Sequence, residues 1–381
     1  MEVPWETIIK IYRSNLGKKN FDTLKEYADD FIAFLNKEKQ LFPESEQDKY
    51  FEANVYSYFY YIVKNVEQKV EAAISEKNKI TESEIKDITS DVIKKHYDKW
   101  RRTELPPSVP QDYLKNLIAK YRTVIDKAKK EVFENLPITR ILSNQLTEIA
   151  VSLFAKFPRD IIYSGLSGVV IAGFGTKDIF PSLKSFLIEG IVNNHLKYKD
   201  EKYYEITFQN NATIVPFAQS EMVSTFMEGV EPSYEIAIEN FLSRIFSEYP
   251  QVIIDKIEKI DDNEKKNLKE KLKEISNKEF GKYKEKLAAY RRQNFVDPVI
   301  KVVAMLPKDE LAAMAESLVN LTSFKRKISM EAETVGGPID VAVISKGDGF
   351  IWIKRKHYFK PEFNPQFFAN YYREVENGEK K

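Results

Sequence analysis

The segment VGGPIDVAVISKGDGFIWIK, residues 335–354, predicts a β-hairpin near the end of the chain. Gly336, Gly337 and Pro338 interrupt the preceding helical pattern. They suit the entry to a strand, because glycine permits unusual backbone angles and proline is tolerated at a strand's first residue. Two apolar runs follow, separated by the glycine-containing turn SKGDG. This pattern is typical of a hairpin.

The first strand of this hairpin is apolar on both faces, which carry Ile339, Val341 and Val343 on one side and Ala342 and Ile344 on the other. Strands of this kind usually lie between two layers of a fold. The segment GVVIAGF, residues 168–174, has the same two-sided apolar pattern. Both segments are therefore predicted to belong to a sheet that is covered on each face.

Helical periodicity dominates the chain from its start to about residue 135. Pro4 suits a first helical turn, and Gly17 ends the apolar repeat that follows it. Thr81 and Glu84 form a capping-box pattern before another apolar repeat. These signals predict an all-helical segment over residues 1–135.

After one more predicted helix, the sequence pattern changes from helical to strand-like. The segments GVVIAGF, SLKSFLIEGIVNN, KYYEITF and ATIVPFA predict a run of neighbouring antiparallel strands over residues 168–218. Helices return at SEMVSTFMEGV and at an apolar repeat formed by Ile236, Phe241, Leu242, Ile245 and Phe246. Residues 255–292 alternate both signs of charge and predict a solvated helix, and Pro307 is expected to open the helix before the hairpin.

Two phrases in this order, GVVIAGFGTKDIFPSLKSF and VGGPIDVAVISKGDG, resemble the central and the C-terminal strand of the proteasome-type N-terminal-nucleophile hydrolases. The resemblance covers roughly residues 140–250 and 307–354. It implies an α+β fold with a four-layer αββα core of two antiparallel sheets between helical layers. The first strands of that core are missing, and large helical insertions are added.

The resemblance divides the chain into five predicted segments. Residues 1–135 form a helical segment or insertion, and residues 136–254 form the first part of the αββα core. Residues 255–295 are a charged helical insertion, residues 296–359 the second part of the core, and residues 360–381 a C-terminal tail.

The sequence differs from the family at the positions where the family has its catalytic residues. Peptidases of the family use the first residue of the mature chain, usually threonine, as nucleophile, with its own amino group as base. This chain opens with the helical pattern MEVPWETIIKIYRSN, Val335 stands where the family has a serine, and Ala332 lies near the position of its acid. No catalytic residue is therefore predicted. Either the natural protein starts upstream of Met1 and encodes the first strands there, or the chain is a non-catalytic relative.

Composition narrows the possible partners and the compartment. Fifty-nine Lys and Arg against fifty-eight Asp and Glu leave a net charge of +1, so no global field attracts nucleic acid or anionic membranes. The sequence has no cysteine and no apolar run of the ~20 residues that span a bilayer. These features predict a soluble, cytoplasmic protein without a membrane partner.

Other chemistry-bearing residues favour structural roles. His96, His195 and His357 lack the spacing of a metal site, so they are expected to be exposed or hydrogen-bonded, and neither metal nor cofactor is predicted. Glu331, Glu333 and Asp340 are interpreted as turn and strand-edge residues. The segment WIKRKHYFK, residues 352–360, interleaves bases with aromatics as nucleic-acid faces do, but an outward-facing strand is the preferred interpretation.

These observations predict a proteasome-like protein, non-catalytic or N-terminally truncated, that assembles with itself through helix faces. The helical segment offers a surface for a protein partner. The first alternative is a structural or regulatory interaction module without a proteolytic role. The second, less favoured, is a nucleic-acid-associated factor, whose binding would depend strongly on salt.

Overall fold

A computed structural model describes residues 3–38, 41–158, 165–218, 220–257, 261–328, 339–357 and 359–369. The chain is an α+β protein in which helices predominate and the sheets are small and antiparallel. It divides into two compact units, here called unit 1, residues 1–205, and unit 2, residues 206–381. The predicted helical segment and the first predicted strands thus lie together in unit 1.

Unit 1 begins with six helices: α1 Trp5–Leu16, α2 Leu24–Lys37, α3 Glu44–Lys77, α4 Glu82–Arg102, α5 Tyr113–Val132 and α6 Arg140–Ser152. Their ends follow local signals. Gly17 ends α1 with a positive φ of 54°, and Thr81 and Glu84 close the predicted capping box at the start of α4. The helices predicted from periodicity in this part of the chain are confirmed.

Three strands follow in unit 1: β1 Ser167–Gly173, β2 Ser182–Val192 and β3 His195–Glu205. They form one antiparallel sheet in the order β1-β2-β3. Two bulges interrupt the pairing of β2 with β3. Glu201 is the extra residue on β3, and Glu189 is the extra residue on β2. The second bulge changes the direction of the side chains that follow it along β2.

Two apolar clusters hold unit 1 together. The larger joins α3, α4, α5 and α6, and its centre includes Phe51, Phe59, Trp100, Leu117 and Leu146, all nearly or fully buried. The smaller packs α1 and α2 against the sheet through residues such as Ile8, Phe31, Leu35, Phe186 and Ile188. The sheet is thus covered by helices on one side through its buried strand β2.

A loop after β1 is attached to the start of α2. The carboxylate of Asp178 accepts hydrogen bonds from the backbone N–H of Leu24, at 2.9 Å, and of Gly175, at 2.7 Å. The loop after β1 and the segment before α2 lie so close together that a Cβ on Gly175 would be 2.3 Å from the carbonyl oxygen of Asp22. A glycine is therefore required at this position.

Unit 2 contains α7 Glu221–Glu228, α8 Pro232–Asp255, α9 Asp262–Arg291, a π-helical turn Arg292–Val296, α10 Asp297–Val303 and α11 Lys308–Ile328. The hairpin strands β4 Val341–Ser345 and β5 Gly349–Lys354 follow, and then a short 3₁₀ turn, Pro361–Phe363. As predicted, the charged helix α9 has no buried residue among its described side chains, and α11 begins just after Pro307.

The terminal hairpin is confirmed over its described residues. β4 and β5 pair antiparallel, and Gly349 takes the positive φ of 71° that the turn needs. Asp348 closes the turn by accepting hydrogen bonds from the Ser345 hydroxyl at 2.7 Å and from the Lys308 ammonium at the start of α11. The glycine pair and proline before β4 lie outside the described residues.

The prediction that both two-sided apolar strands share a covered sheet is not confirmed. β1 belongs to the three-stranded sheet and β4 to a separate two-stranded sheet. All six residues of β5 are exposed, so among the described residues no second layer covers this strand. Of the outward-facing strand inferred for residues 352–360, residues 352–354 are confirmed as the exposed end of β5, whereas residues 355–357 and 359–360 form no strand. The four-layer αββα core is not confirmed.

Two details of the predicted strand run are wrong. Residues 212–218, ATIVPFA, form no strand, and the KYYEITF segment is the end of a strand that already begins at His195. Pro216 lacks the N–H that a ladder requires, whereas β3 is an edge strand, on which Asp200 and Glu201 are exposed to solvent.

The described helices include none that is both long enough and apolar enough to cross a membrane.

Candidate functional site

A long apolar surface of the described chain lies exposed on α8. Pro232 occupies the first helical turn, where its missing N–H costs nothing, and the Glu231 side chain accepts a hydrogen bond of 3.0 Å from the backbone N–H of Tyr234. The helix then runs for 24 residues, about 36 Å. Local sequence therefore fixes the start of a long helix, which continues through an internal proline, Pro250.

One side of α8 packs against α9. The ring of Phe246 lies 5.3 Å from that of Phe280, and Glu239 forms an ion pair of 2.9 Å with Lys284. Arg291, near the end of α9, pairs with Glu235 and holds the pKa of that carboxyl below its ordinary value through their hydrogen bond. These contacts determine which residues of α8 face inward.

A different side of α8 carries a row of large apolar side chains that remain exposed. The exposed fractions are 62% for Tyr234, 57% for Phe241, 39% for Ile245, 60% for Tyr249 and 52% for Val252. Steps of three, four or seven residues place side chains on one helical face. We call these five residues the α8 row.

The α8 row is large enough to matter energetically. Large apolar and aromatic side chains expose roughly 150–250 Å² each when free, so half-exposure of five leaves about 500 Å² of apolar surface in one strip. The largest apolar patch on a typical monomer is about 300–600 Å², and such patches are often functional. The α8 row thus has the size of a binding surface rather than of scattered surface residues.

The residues around the α8 row are mainly acidic. Glu235, Glu239, Glu248 and Asp255 lie on the same helix, and Arg244 is its only base. Glu239 and Glu235 are neutralised by α9, so Arg244, Glu248 and Asp255 are the charged residues of α8 left near the exposed strip. The strip therefore has charges of both signs at its border, which suits a polar rim around an apolar centre.

Residues singled out near the glycine pair remain largely untested. Glu331, Ala332, Glu333 and Val335 lie outside the described residues. Asp340 is described, and its carboxylate accepts a hydrogen bond of 2.6 Å from the backbone N–H of Lys356. This contact agrees with the strand-edge role predicted for Asp340.

The histidines occupy three separate environments. His96 lies between the Tyr58 hydroxyl, 2.9 Å from Nδ1, and the Asn65 amide, 3.0 Å from Nε2, and Trp100 donates to the same hydroxyl. Burial, with a smaller contribution from the Lys99 ammonium, lowers the His96 pKa to about 4. His96 is therefore neutral at physiological pH, and its hydrogen bonds agree with the prediction that the histidines are exposed or hydrogen-bonded.

His195 differs from His96 because its ring packs 4.6 Å from that of Tyr113 and its buried Nε2 has no hydrogen-bond partner. His357 belongs to an aromatic group with Phe359 and Phe367. Within the described ranges, no three His, Asp or Glu side chains come together as a metal site would require.

A buried ion pair on the sheet was not foreseen from the sequence. Lys197 and Glu189 lie 2.5 Å apart with side chains only 3% and 8% exposed. The ammonium also donates to the carbonyl oxygen of Leu153 and lies 4.6 Å from the ring centre of Phe157. Burial raises the pKa of Glu189 and lowers that of Lys197, and the pair opposes both shifts. The bulge at Glu189 directs its side chain inward, and no local sequence signal marks such a bulge.

Comparisons with protein-family models, with curated proteins and with solved structures found no significant match for this chain. The resemblance to proteasome-type hydrolases therefore stays a prediction.

Proposed function

We propose that this protein is an assembly or interaction protein that associates with a second copy of itself through the α8 row. The observation that carries the proposal is the continuous exposure of Tyr234, Phe241, Ile245, Tyr249 and Val252 along one helix. Burial of such a strip against a partner releases water from about 500 Å² of apolar surface on each copy.

The area favours a second copy over a small ligand. Stable interfaces bury about 800 Å² per partner, and the α8 row with its border residues supplies surface of that order. The row is convex, whereas small molecules bind in concave pockets. A symmetric dimer also needs only one surface, because the same patch occurs on both copies.

The row is compatible with an antiparallel pairing about a two-fold axis at the middle of α8. Tyr234 at one end of the row would then meet Val252 of the second copy, and Phe241 would meet Ile245. Large and smaller side chains alternate across such an interface. Arg244 and Glu248, at the border, bring charges of opposite sign to both copies.

The test is the mass of the full chain in solution, measured by light scattering after size exclusion. One chain weighs 44.4 kDa, and we expect a species of at least twice that mass. The double variant Phe241→Glu/Ile245→Glu should be monomeric, because two carboxylates per copy would be buried without partners. Ile275→Glu, an exposed apolar residue of α9 outside the row, is the matched control and should keep the wild-type mass.

A wild-type chain that stays monomeric at micromolar concentration overturns the proposal, as does an unchanged mass in the double variant. Circular dichroism of each variant shows whether the helices are retained, so loss of association is separated from loss of folding.

The relationship to proteasome-type hydrolases is a separate proposal, supported by the two sequence phrases and their order. It predicts that the protein in its own cells carries an N-terminal threonine, serine or cysteine ahead of strands that precede α1. Intact mass and N-terminal sequencing of the native protein test it. A native chain that begins at Met1 would leave no nucleophile and would remove the catalytic proposal.

A further inference from the structure

The terminal hairpin has an open edge. β5 belongs to a sheet of two strands, and among the described elements only β4 packs extensively against it. In an antiparallel pair, alternate residues of each strand direct their N–H and C=O groups away from the neighbouring strand. No described strand takes up these groups on the second side of β5. An edge of this kind is a ready template for another extended chain.

The features that usually protect an edge strand are weak in β5. Lysine, proline and bulges discourage a further strand from adding. β5 has no proline, and its one lysine, Lys354, is held at 2.6 Å by the Glu316 carboxylate of α11. A bulge makes Ile353 an extra residue near the end of the strand. Residues 349–352 remain as a regular edge without a charged side chain.

Both faces of β5 carry exposed apolar side chains. Successive residues of a strand point to opposite faces, so Phe350 and Trp352 share one face, and they are 54% and 41% exposed. Ile351 lies on the other face and is 43% exposed. Side chains of a strand that added beside β5 would lie about 4.5–5.5 Å from these residues and contact them directly. Those contacts would be apolar on both faces.

Contacts with α11 hold the hairpin in place. Val341 of β4 is buried, and α11 reaches both ends of the hairpin. Lys308 pairs with Asp348 in the turn, and Glu316 pairs with Lys354 at the end of β5. An isolated two-stranded hairpin is only marginally stable in water. Attachment to a helix therefore reduces the ordering that binding at the edge requires.

We propose that β5 binds an extended peptide segment of another protein, which adds to the hairpin as a third strand. In this mode of recognition, main-chain hydrogen bonds supply affinity and alternate side chains supply specificity. Phe350 and Ile351 lie on opposite faces, so the segment is apolar at successive positions rather than at every second one. β-Branched residues suit such a segment, because they favour extended backbone.

The size of the edge favours a peptide over a folded partner. Its four regular residues span about 14 Å. Half-exposure of Phe350, Ile351 and Trp352 leaves about 300 Å² of apolar surface. A stable interface between folded proteins buries about 800 Å² per partner, so this surface is too small for one. An extended segment binds differently, because its backbone groups find partners along the whole edge.

The experiment mixes the full chain with a fluorescein-labelled peptide, KKTVIVTKK, and follows binding by fluorescence anisotropy. We expect saturable binding, with slower amide hydrogen exchange in residues 349–354 of the bound chain. The same peptide with N-methyl groups on alternate residues of its apolar part loses the hydrogen-bond donors of one side. It should bind about tenfold more weakly or less, because two or more hydrogen bonds are lost. Equal binding of both peptides would overturn strand addition.

Variants of the protein locate the binding site. Ile351→Lys places a charge in the middle of the edge and should weaken binding about tenfold. Ile275→Lys, at an exposed apolar position of α9 outside the hairpin, is the matched control and should bind like wild type. Thermal melting shows whether both variants keep their fold. Unchanged binding to Ile351→Lys, equal loss in both variants, or no binding to the wild-type chain would overturn the proposal.

Hydrogen exchange of the free chain reveals any other occupant of the edge. The amides of β5 that point away from β4 should exchange rapidly without peptide. Slow exchange there would show that another segment of the chain or a second copy already covers the edge, and would overturn the proposal. The hairpin shares no residue with the α8 row. Phe241→Glu/Ile245→Glu should therefore bind the peptide like wild type, so either proposal can fail while the other stands.

Discussion

The two units differ in how far they bury aromatic side chains on their helices. In unit 1, Phe51 is fully buried between the rings of Tyr121 and Phe154, at centroid distances of 3.9 and 4.5 Å. In unit 2, Phe241 also lies on a long helix, α8, and is 57% exposed. Apolar periodicity therefore predicts a helix in both units, but it predicts an internal core only where other elements cover the apolar face.

Burial in unit 2 is correspondingly sparse. Its buried apolar residues among those described are mostly small or medium in size: Ala212, Val223, Met227, Ile254, Val303, Ala312 and Val341. Unit 1 instead buries a continuous cluster of aromatic and branched side chains from four helices. The difference indicates that the described part of unit 1 has a large apolar core of its own, whereas the described part of unit 2 buries far less apolar surface.

The largest loss of stability is expected from a substitution in the core of unit 1. Phe51→Ala should lower the unfolding free energy of unit 1 by about 3–5 kcal/mol, because it removes two ring contacts and leaves a cavity. Phe241→Ala, the matched change in unit 2, should change the stability of a monomeric chain by no more than about 0.5 kcal/mol.

Amide hydrogen exchange followed by mass spectrometry measures both variants, because peptides from residues 1–205 and from residues 206–381 report on unit 1 and unit 2 separately. Similar losses for Phe51→Ala and Phe241→Ala would contradict the contrast between the units.

A loss of stability of intermediate size is expected when the pH is lowered. The folded pKa of His96 is about 4, below the ordinary value near 6.5, so the folded state binds fewer protons than the unfolded state between these values. The stability that depends on neutral His96 is complete above pH 6.5 and is lost as the pH falls towards 4. The loss amounts to about 3 kcal/mol.

Unfolding free energies of unit 1 at pH 7 and pH 4 test this prediction. Carboxylates also contribute to acid unfolding, so the decisive quantity is the difference between wild type and His96→Gln, which should have a shallower dependence on pH. His357→Gln, in unit 2, is the control and should keep the wild-type slope. A His96 ring that titrates near pH 6.5 by NMR would contradict the prediction.

The smallest loss of stability is expected from the removal of a helix cap, and it can be compared between the two units. Thr81→Ala removes the capping box of α4 and should cost unit 1 about 1 kcal/mol. Asp261→Ala removes the cap of α9, where the carboxylate accepts a 2.8 Å hydrogen bond from the Glu264 N–H. That change should leave the stability of unit 1 unaltered, and an equal loss would show that the units unfold together.

Local signals in the sequence predict most helices but not the sheets. The boundaries at Gly17, Thr81 and Pro307 follow from capping and backbone preferences that act within one turn. Strand pairing is different, because it depends on residues far apart in the chain. The apolar phrases at residues 168–174 and 341–345 look alike, yet they pair with different strands in separate sheets.

The candidate site shows the same limit. The apolar repeat through Phe241 and Ile245 is visible in the sequence, and so is Phe246. Only the structure separates them, because Phe246 packs on Phe280 while Phe241 and Ile245 point away from α9. The ion pair of Lys197 and Glu189 was missed for a similar reason, since a bulge in the sheet decides which way Glu189 points.

The contact between Asp178 and the first turn of α2 has a consequence for biosynthesis. Asp178 follows Leu24 by 154 residues, so at about 5–20 residues per second the ribosome needs roughly 8–30 s to make the second partner after the first. During that time α2 must rely on its own Thr23 and Glu26 cap. The start of α2 reaches its final environment only when β1 and the loop behind it have left the ribosome.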